Sequence, residues 1–235
     1  KAAKILNSLK VPFFKISSGE IHDKILVKEI CKFKKPIFFS SGLSNINDIE
    51  KHIDFFKKNK VEFVLMHCTS IYPCPPQEIG LNLIQEFKKR YNCRIGYSDH
   101  SGEIFSALSA VTLGATVIES HLTFSKDFFG ADTKSSLDPK QFKQMVEGIR
   151  YIEKMKSKQL NKKQLKPIIE VYKKIFTKSI FLKRNLKKNH ILNIKDFNFK
   201  KANTGVSQEN LNEILGKKLK KNKKKNDILN YKDIF

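Results

Sequence analysis

From residue 12 to about residue 150, apolar positions follow two alternating periods. PFFKISSGE (12–20), KPIFFSSGLS (35–44), VEFVLMHC (61–68), RIGYSDH (94–100) and TVIESHL (116–122) are short runs rich in β-branched and aromatic residues. Between them the spacing turns helical. Ile25, Leu26, Ile30 and Phe33 share one face; Ile46, Ile49, Ile53 and Phe56 share another, with Ser44 placed as N-cap. Ile79, Leu83 and Phe87 mark the next helix, and Ile104, Leu108 and Val111 the one after it, which Gly114 is placed to end. Asp138 followed by Pro139 opens a further helix with Phe142, Met145, Val146, Ile149 and Ile152 inward. Residues 1–9 read as the end of one more. Five β runs alternating with helices predict an α/β fold with a parallel sheet. The repeat of about 25–30 residues per βα unit suits a (β/α)8 TIM-type barrel, of which these would be the C-terminal five units. The chain opens within a helix and without an initiator Met, so the expectation is a fragment that lacks the first three βα units.

Beyond residue 150 the texture changes. Residues 151–175 read as a Lys/Gln-rich helical linker. From 176 onward come short β-prone pieces separated by Asn and Gly: FTKSIFLKRN, HILNIKDFNFKK, EILGKKL and DILNYKDIF. The expectation is a barrel domain over 1–150, the linker, and a small, basic, mostly-β domain over 176–235.

The ends of the five β runs share a chemistry. Lys15 is followed by Ser17, Ser18, Gly19 and Glu20; then come Ser40, Ser41 and Gly42; His67, Thr69, Ser70 and Tyr72; Ser98, Asp99 and His100; Glu119 and His121. Neighbouring parallel strands lie about 4.8 Å apart, and α/β enzymes keep their chemistry at the carboxyl ends of such strands. His100 and His121, on consecutive β runs, are therefore placed as a two-histidine metal site. Hydroxyls, glycine amides and a lysine make an oxyanion cradle for a phosphate or carboxylate. Lys15 is equally placed to form a Schiff base with a carbonyl, as in barrel aldolases.

Composition narrows the classes. The net charge of +23 comes from 42 Lys and only 4 Arg. It is uneven: residues 1–150 hold 22 basic and 16 acidic groups, residues 151–235 hold 24 and 7. No nucleic-acid motif accompanies the charge, so solvated lysine faces are the first reading and a polyanion-binding tail is the alternative. No apolar run reaches the ~20 residues of a membrane span, and no secretory signal opens the chain. Cys31, Cys68, Cys74 and Cys93 lack CxxC spacing, which points to free thiols and a cytoplasmic protein.

The series FKISSGE, FFSSG, HCTSIYPCP, IGYSDHS, VIESHLT and GADTKSSLDP, in this order, resembles the sialic acid synthases, which make N-acetylneuraminate, legionaminate and pseudaminate. The tail SIFLKRNLKKNHILNIKDF…TGVS…ILGKKL is similar to the antifreeze-like (SAF) module of that family. The resemblance implies condensation of phosphoenolpyruvate with the open-chain aldehyde of an N-acetylated amino sugar. The products would be a nine-carbon 2-keto acid and phosphate, and a divalent metal, manganese or magnesium, would act as Lewis acid. It implies His100 and His121 as metal ligands. Lys15, Ser18, Ser70 and Ser98 would hold phosphoenolpyruvate, while Glu20, Tyr72, Asp132 and Lys201 would contact the sugar. His100, His121, Glu20 and Lys15 are the expected catalytic set. It further implies a domain-swapped homodimer, and further active-site groups in the missing units, without which the chain alone is expected to be inactive. Three departures stand out: Ser17 where glycine is common, Ser70 where some members carry asparagine, and Lys201 where an arginine is found.

Overall fold

The computed structural model describes residues 1–235, apart from the side chain of Lys174. The chain divides into two compact units, Lys1–Lys158 and Gln159–Phe235.

The first unit alternates strand and helix throughout. Its strands are β1 (Phe14–Ile16), β2 (Ile37–Ser40), β3 (Phe63–Cys68), β4 (Arg94–Asp99), β5 (Val117–Leu122) and β6 (Ser136–Leu137). Its helices are α1 (Ala2–Ser8), α2 (Lys24–Lys32), α3 (Ile46–Lys58), α4 (Asn82–Tyr91), α5 (Ile104–Leu113) and α6 (Pro139–Lys156). All six strands pair in parallel and in sequence order, as in the wall of a (β/α) barrel. The sheet thus has six strands where the sequence pattern suggested five. β6 is two residues long and sits inside a polar loop, too short to leave a period.

Alternate residues of each strand face the helices and build the main core: Phe14 and Ile16, Ile37 and Phe39, Leu65, Ile95 and Tyr97 meet Val27, Ile30, Ile49, Ile53, Phe56, Ile84 and Phe87. Ile25, expected inward, is 83% exposed; α2 is rotated so that Val27, Ile30 and Cys31 face in. The N-cap of α3 is Asn45 and not Ser44, its side chain accepting from the Asp48 amide at 3.0 Å. Asp138 caps α6 with a full capping box through Gln141, and Pro139 follows it. Gly114 ends α5 in the left-handed region at φ +111, a conformation that costs glycine little. α6 runs to Lys156, into the stretch read as linker.

The second unit holds α7 (Lys166–Phe176), the antiparallel pair β7 (Lys178–Leu182) and β8 (Phe197–Lys201), and one helical turn, α8 (Leu211–Ile214). EILGKKL, read as β-prone, begins within that turn. Around the hairpin, isolated bridges and short 3-10 turns enclose Ile180, Leu182, Leu192, Val206, Ile214, Leu219 and Leu229. Two similar stretches, ILNIKD and ILNYKD, each end in an Asn-to-Asp capping box around a fully buried carboxylate. Burial raises the carboxyls of Asp196 and Asp233. Hydrogen bonds from His190, Arg184 and the Asn193 amide to Asp196, and the Lys223 and Lys221 ammoniums with the Asn230 amide around Asp233, overcome that and hold both below the ordinary 3.8. A carboxyl depressed in the folded state gives stability that is complete above the unfolded value and lost as pH falls through the folded one. The second unit is therefore expected to melt at progressively lower temperature as pH drops below about 3.8, which calorimetry across pH 2–6 would read.

Candidate functional site

The strand residues that do not face the helices line a concave cavity of about 500 Å³ at the carboxyl ends of β1 to β5. Its walls include Lys15, Ser18, Ser40, Cys68, Ser70, Tyr72, Ser98, His100, Glu119 and His121. Register explains part of this convergence: Cys68 pairs with Ser98, and Ser98 with Glu119, so three polar side chains form one row. A larger, more apolar groove of about 630 Å³ lies between α5, α6 and β5, lined by Val111, Ile118, Phe142, Met145 and Ile149. It lacks the clustered histidines and hydroxyls of the strand-end cavity.

His100 and His121 come together as expected, with ring centroids 5.2 Å apart and planes at 67°. The Tyr72 ring lies 4.1 Å from His100 and 5.9 Å from His121, completing a three-ring wall. His100 Nδ1 donates to the Thr69 carbonyl at 3.1 Å, which leaves the lone pair on Nε2. His121 Nδ1 stands 3.6 Å from a carboxylate oxygen of Asp132. A carbonyl or carboxylate behind one ring nitrogen is the usual way of aiming the other at a cation. The pair therefore fits a divalent ion through two imidazoles. Among the described residues no cluster of three or more His, Cys, Asp or Glu is arranged to hold a metal, so water or substrate oxygens would have to complete the shell.

Lys15 reaches across the cavity to Glu119, Nζ to Oε2 2.8 Å, a close ion pair without well-directed hydrogen-bond geometry. Ser18 Oγ and Ser40 Oγ are 2.6 Å apart. Cys68 Sγ lies 3.7 Å from Ser18 Oγ, 3.9 Å from Ser70 Oγ and 3.8 Å from His100 Nδ1. Burial pushes the Cys68 thiol up, but His100, Ser40 and Ser18 pull it down to about 7. Burial likewise opposes charge on His100, and the contacts with Cys68, Thr69 and Asp99 outweigh it and raise its value. The backbone of Gly42 closes in on these hydroxyls. A Cβ there would collide with Ser70 Oγ and Ser18 Oγ and come within 3.0 Å of Cys68 Sγ. Gly42→Ala is therefore expected to push the Ser18 and Ser70 hydroxyls from their places in the cavity, which a crystal structure of the variant would read.

Of the residues expected at the site, Lys15, Ser18, Ser70, Tyr72, Ser98, His100 and His121 share this cavity. Asp132 joins them through His121. Glu20 is exposed on the turn after β1, one residue beyond Gly19, which lines the wall. Lys201 belongs to the second unit, where its ammonium lies 5.4 Å over the Phe176 ring. Ser40, Gly42, Cys68 and Glu119 were not singled out from sequence as individual site residues. Their signal was the two-residue alternation within each β run, which assigns them to the same face as Ser98 and His121.

The parallel strands in sequence order and the polar cavity at their carboxyl ends are those of a (β/α)-barrel wall with its strand-end site. Residues 1–161 match the model of the NeuB family and residues 177–234 that of the SAF domain. The chain belongs to the NeuB family. It is 36% identical to N,N'-diacetyllegionaminic acid synthase of Campylobacter jejuni over 223 residues, 92% of this chain and 65% of that protein. It is 30% identical to human N-acetylneuraminate-9-phosphate synthase, over 93% of this chain and 61% of that one. Among solved structures, N-acetylneuraminic acid synthetase from Leptospira borgpetersenii, in complex with citrate, superposes with a TM-score of 0.67 at 32% identity, covering 74% of this chain and 61% of the other. The chain thus spans under two thirds of the length of these relatives. All four cysteines are free, and among the described residues no helix is long and apolar enough to cross a membrane.

Proposed function

We propose that the cavity binds phosphoenolpyruvate and an N-acetylated amino sugar and joins them into a nine-carbon 2-keto acid with release of phosphate. The observation that carries this reading is the meeting of His100 and His121, 5.2 Å apart, beside Lys15 and the hydroxyls of Ser18, Ser70 and Ser98 in one cavity. Relatives named as legionaminic acid and N-acetylneuraminate-9-phosphate synthases support the product class.

Lys15 and the serine hydroxyls would hold the phosphate and carboxylate of phosphoenolpyruvate, a charge-assisted set suited to two anionic groups. Glu119 would then share Lys15 with the incoming carboxylate and keep the ammonium aimed across the cavity. Tyr72, Asp132 and Glu20 would contact the sugar, with Lys201 reaching it in a domain-swapped homodimer. His100 and His121 would hold a manganese or magnesium ion, which supplies Lewis acidity at the sugar aldehyde. The enol carbon attacks that aldehyde carbon, water adds at C2, and phosphate departs. The proposed compartment is the cytoplasm.

A Schiff-base aldolase centred on Lys15 is the competing enzyme class. The 2.8 Å pair with Glu119 speaks against it, because a Schiff base on Lys15 would have to give up that ion pair. The full-length protein, with the first βα units in place, should be incubated with phosphoenolpyruvate, Mn2+ and a panel of N-acetylmannosamine, its 6-phosphate and 2,4-diacetamido sugars, with phosphate release as the readout. Release that depends on one sugar and is abolished by EDTA supports the synthase. Covalent trapping of pyruvate on Lys15 by borohydride, insensitive to EDTA, would overturn it. Removing residues 176–235 is expected to raise the KM for the amino sugar sharply and that for phosphoenolpyruvate little; unchanged sugar kinetics would defeat the proposed role of the tail.

A further inference from the structure

Next to the cavity-facing Cys68, on the opposite face of β3, lies a histidine that the chemistry above does not use. His67 is 1% exposed, its ring stacked against Tyr97 at 5.8 Å and edge-on to Phe87 of α4 at 6.1 Å. Its Nε2 is 2.8 Å from the Ile79 carbonyl, an acceptor only, so the proton is on Nε2. Nδ1 is buried with no partner. An imidazole walled by aromatic rings and left with an orphaned nitrogen is costly as mere filling, since an unsatisfied buried acceptor costs free energy that an apolar ring of that size would not. What the ring gains is its single directed bond.

That bond ends the loop between β3 and α4. Residues 69–80 carry Ser70 and Tyr72 into the cavity, and the loop is fastened at three places. At its start, Thr69 offers its carbonyl to His100 Nδ1, and its hydroxyl reaches the Glu78 and Ile79 carbonyls at 3.0 and 3.3 Å. In the middle, the Cys74 amide donates to the His100 carbonyl at 2.9 Å. At its end, Ile79 hangs on His67. The first two tie the loop to β4 and to itself; the bond to His67 ties its far end to β3. We infer that His67 is a positioning residue: a neutral buried latch that sets the β3–α4 loop and, through it, the placement of Ser70 and Tyr72 on substrate.

The functional half of this inference rests on the proposed binding of phosphoenolpyruvate; the latch itself does not. Two variants separate the roles. Glutamine can place its amide nitrogen near the former Nε2 and keep a donor for Ile79, whereas phenylalanine keeps the ring and removes the donor. In His67→Phe the amides of Ile71 and Cys74 are expected to exchange with deuterium at least tenfold faster, with the strand amides of β2 to β4 unchanged and phosphoenolpyruvate binding weakened by roughly tenfold, about 1.4 kcal/mol. His67→Gln should restore both. Loop exchange equal to wild type in His67→Phe, or faster exchange spread evenly over the unit, would overturn the latch. Should His67→Phe fail to fold, His67→Gln decides against wild type: exchange in residues 69–80 as slow as wild type supports the bond, and fast local exchange refutes it. If wild type binds no phosphoenolpyruvate, the functional reading fails while loop exchange still judges the latch.

Discussion

Replacing His100 or His121 with alanine is expected to lower kcat/KM by roughly 10³-fold, about 4 kcal/mol, the scale on which loss of a main electrostatic stabiliser acts. The two losses should not add, because either imidazole alone leaves the proposed cation without its second protein ligand. His100 is the more instructive of the two. Its Nδ1 is committed to the Thr69 carbonyl, so alanine there also frees the start of the β3–α4 loop. His121 has only the 3.6 Å approach of Asp132 behind it. Steady-state phosphate release for both single variants and the double variant reads this directly. A double variant worse than either single by the product of the two factors would mean that the histidines act separately.

The second large effect lies in the other unit. Asp233 is fully buried, with Lys223 Nζ at 2.6 Å, itself only 11% exposed, and Lys221 Nζ at 3.3 Å from the other oxygen without hydrogen-bond geometry. It also accepts from the Asn230 amide at 3.1 Å. Removing one partner of a buried pair leaves the other charge uncompensated and typically costs about 3–5 kcal/mol, a large share of what a unit this small can hold. Asp233→Ala is thus expected to unfold the second unit near room temperature and leave the first unit folded. Asp196→Ala should cost less, about 2–3 kcal/mol, since its partners Arg184 and His190 are 60% and 29% exposed and can turn to water. Differential scanning calorimetry of the two variants ranks them; equal losses would contradict this reading of burial.

The sequence pattern announced the sheet well because parallel strands buried on both faces carry a near-continuous apolar run, and their polar ends stand out against it. His100 and His121 were legible for that reason. Elsewhere, local pattern gave less. Ile25 satisfies the helical spacing of α2 as well as Val27 does, and only packing against β1 and β2 selects the face. Ser44 and Asn45 are both good caps; the strand that precedes them decides which one meets the Asp48 amide. EILG in the second unit lacks the length from which a period can be read. Cys68 sits inside an apolar β run, where it reads as one more core position until the register aligns it with Ser98.

The central claim is that two imidazoles from consecutive strands hold one cation beside a cavity built for a phosphorylated enol. A crystal of the chain soaked with Mn2+ and phosphoenolpyruvate, measured at the manganese absorption edge, tests it. The account predicts one anomalous peak between His100 and His121, with the phosphate and carboxylate against Lys15, Ser18, Ser70 and Ser98. Manganese bound elsewhere, or phosphoenolpyruvate seated away from Lys15, would contradict it.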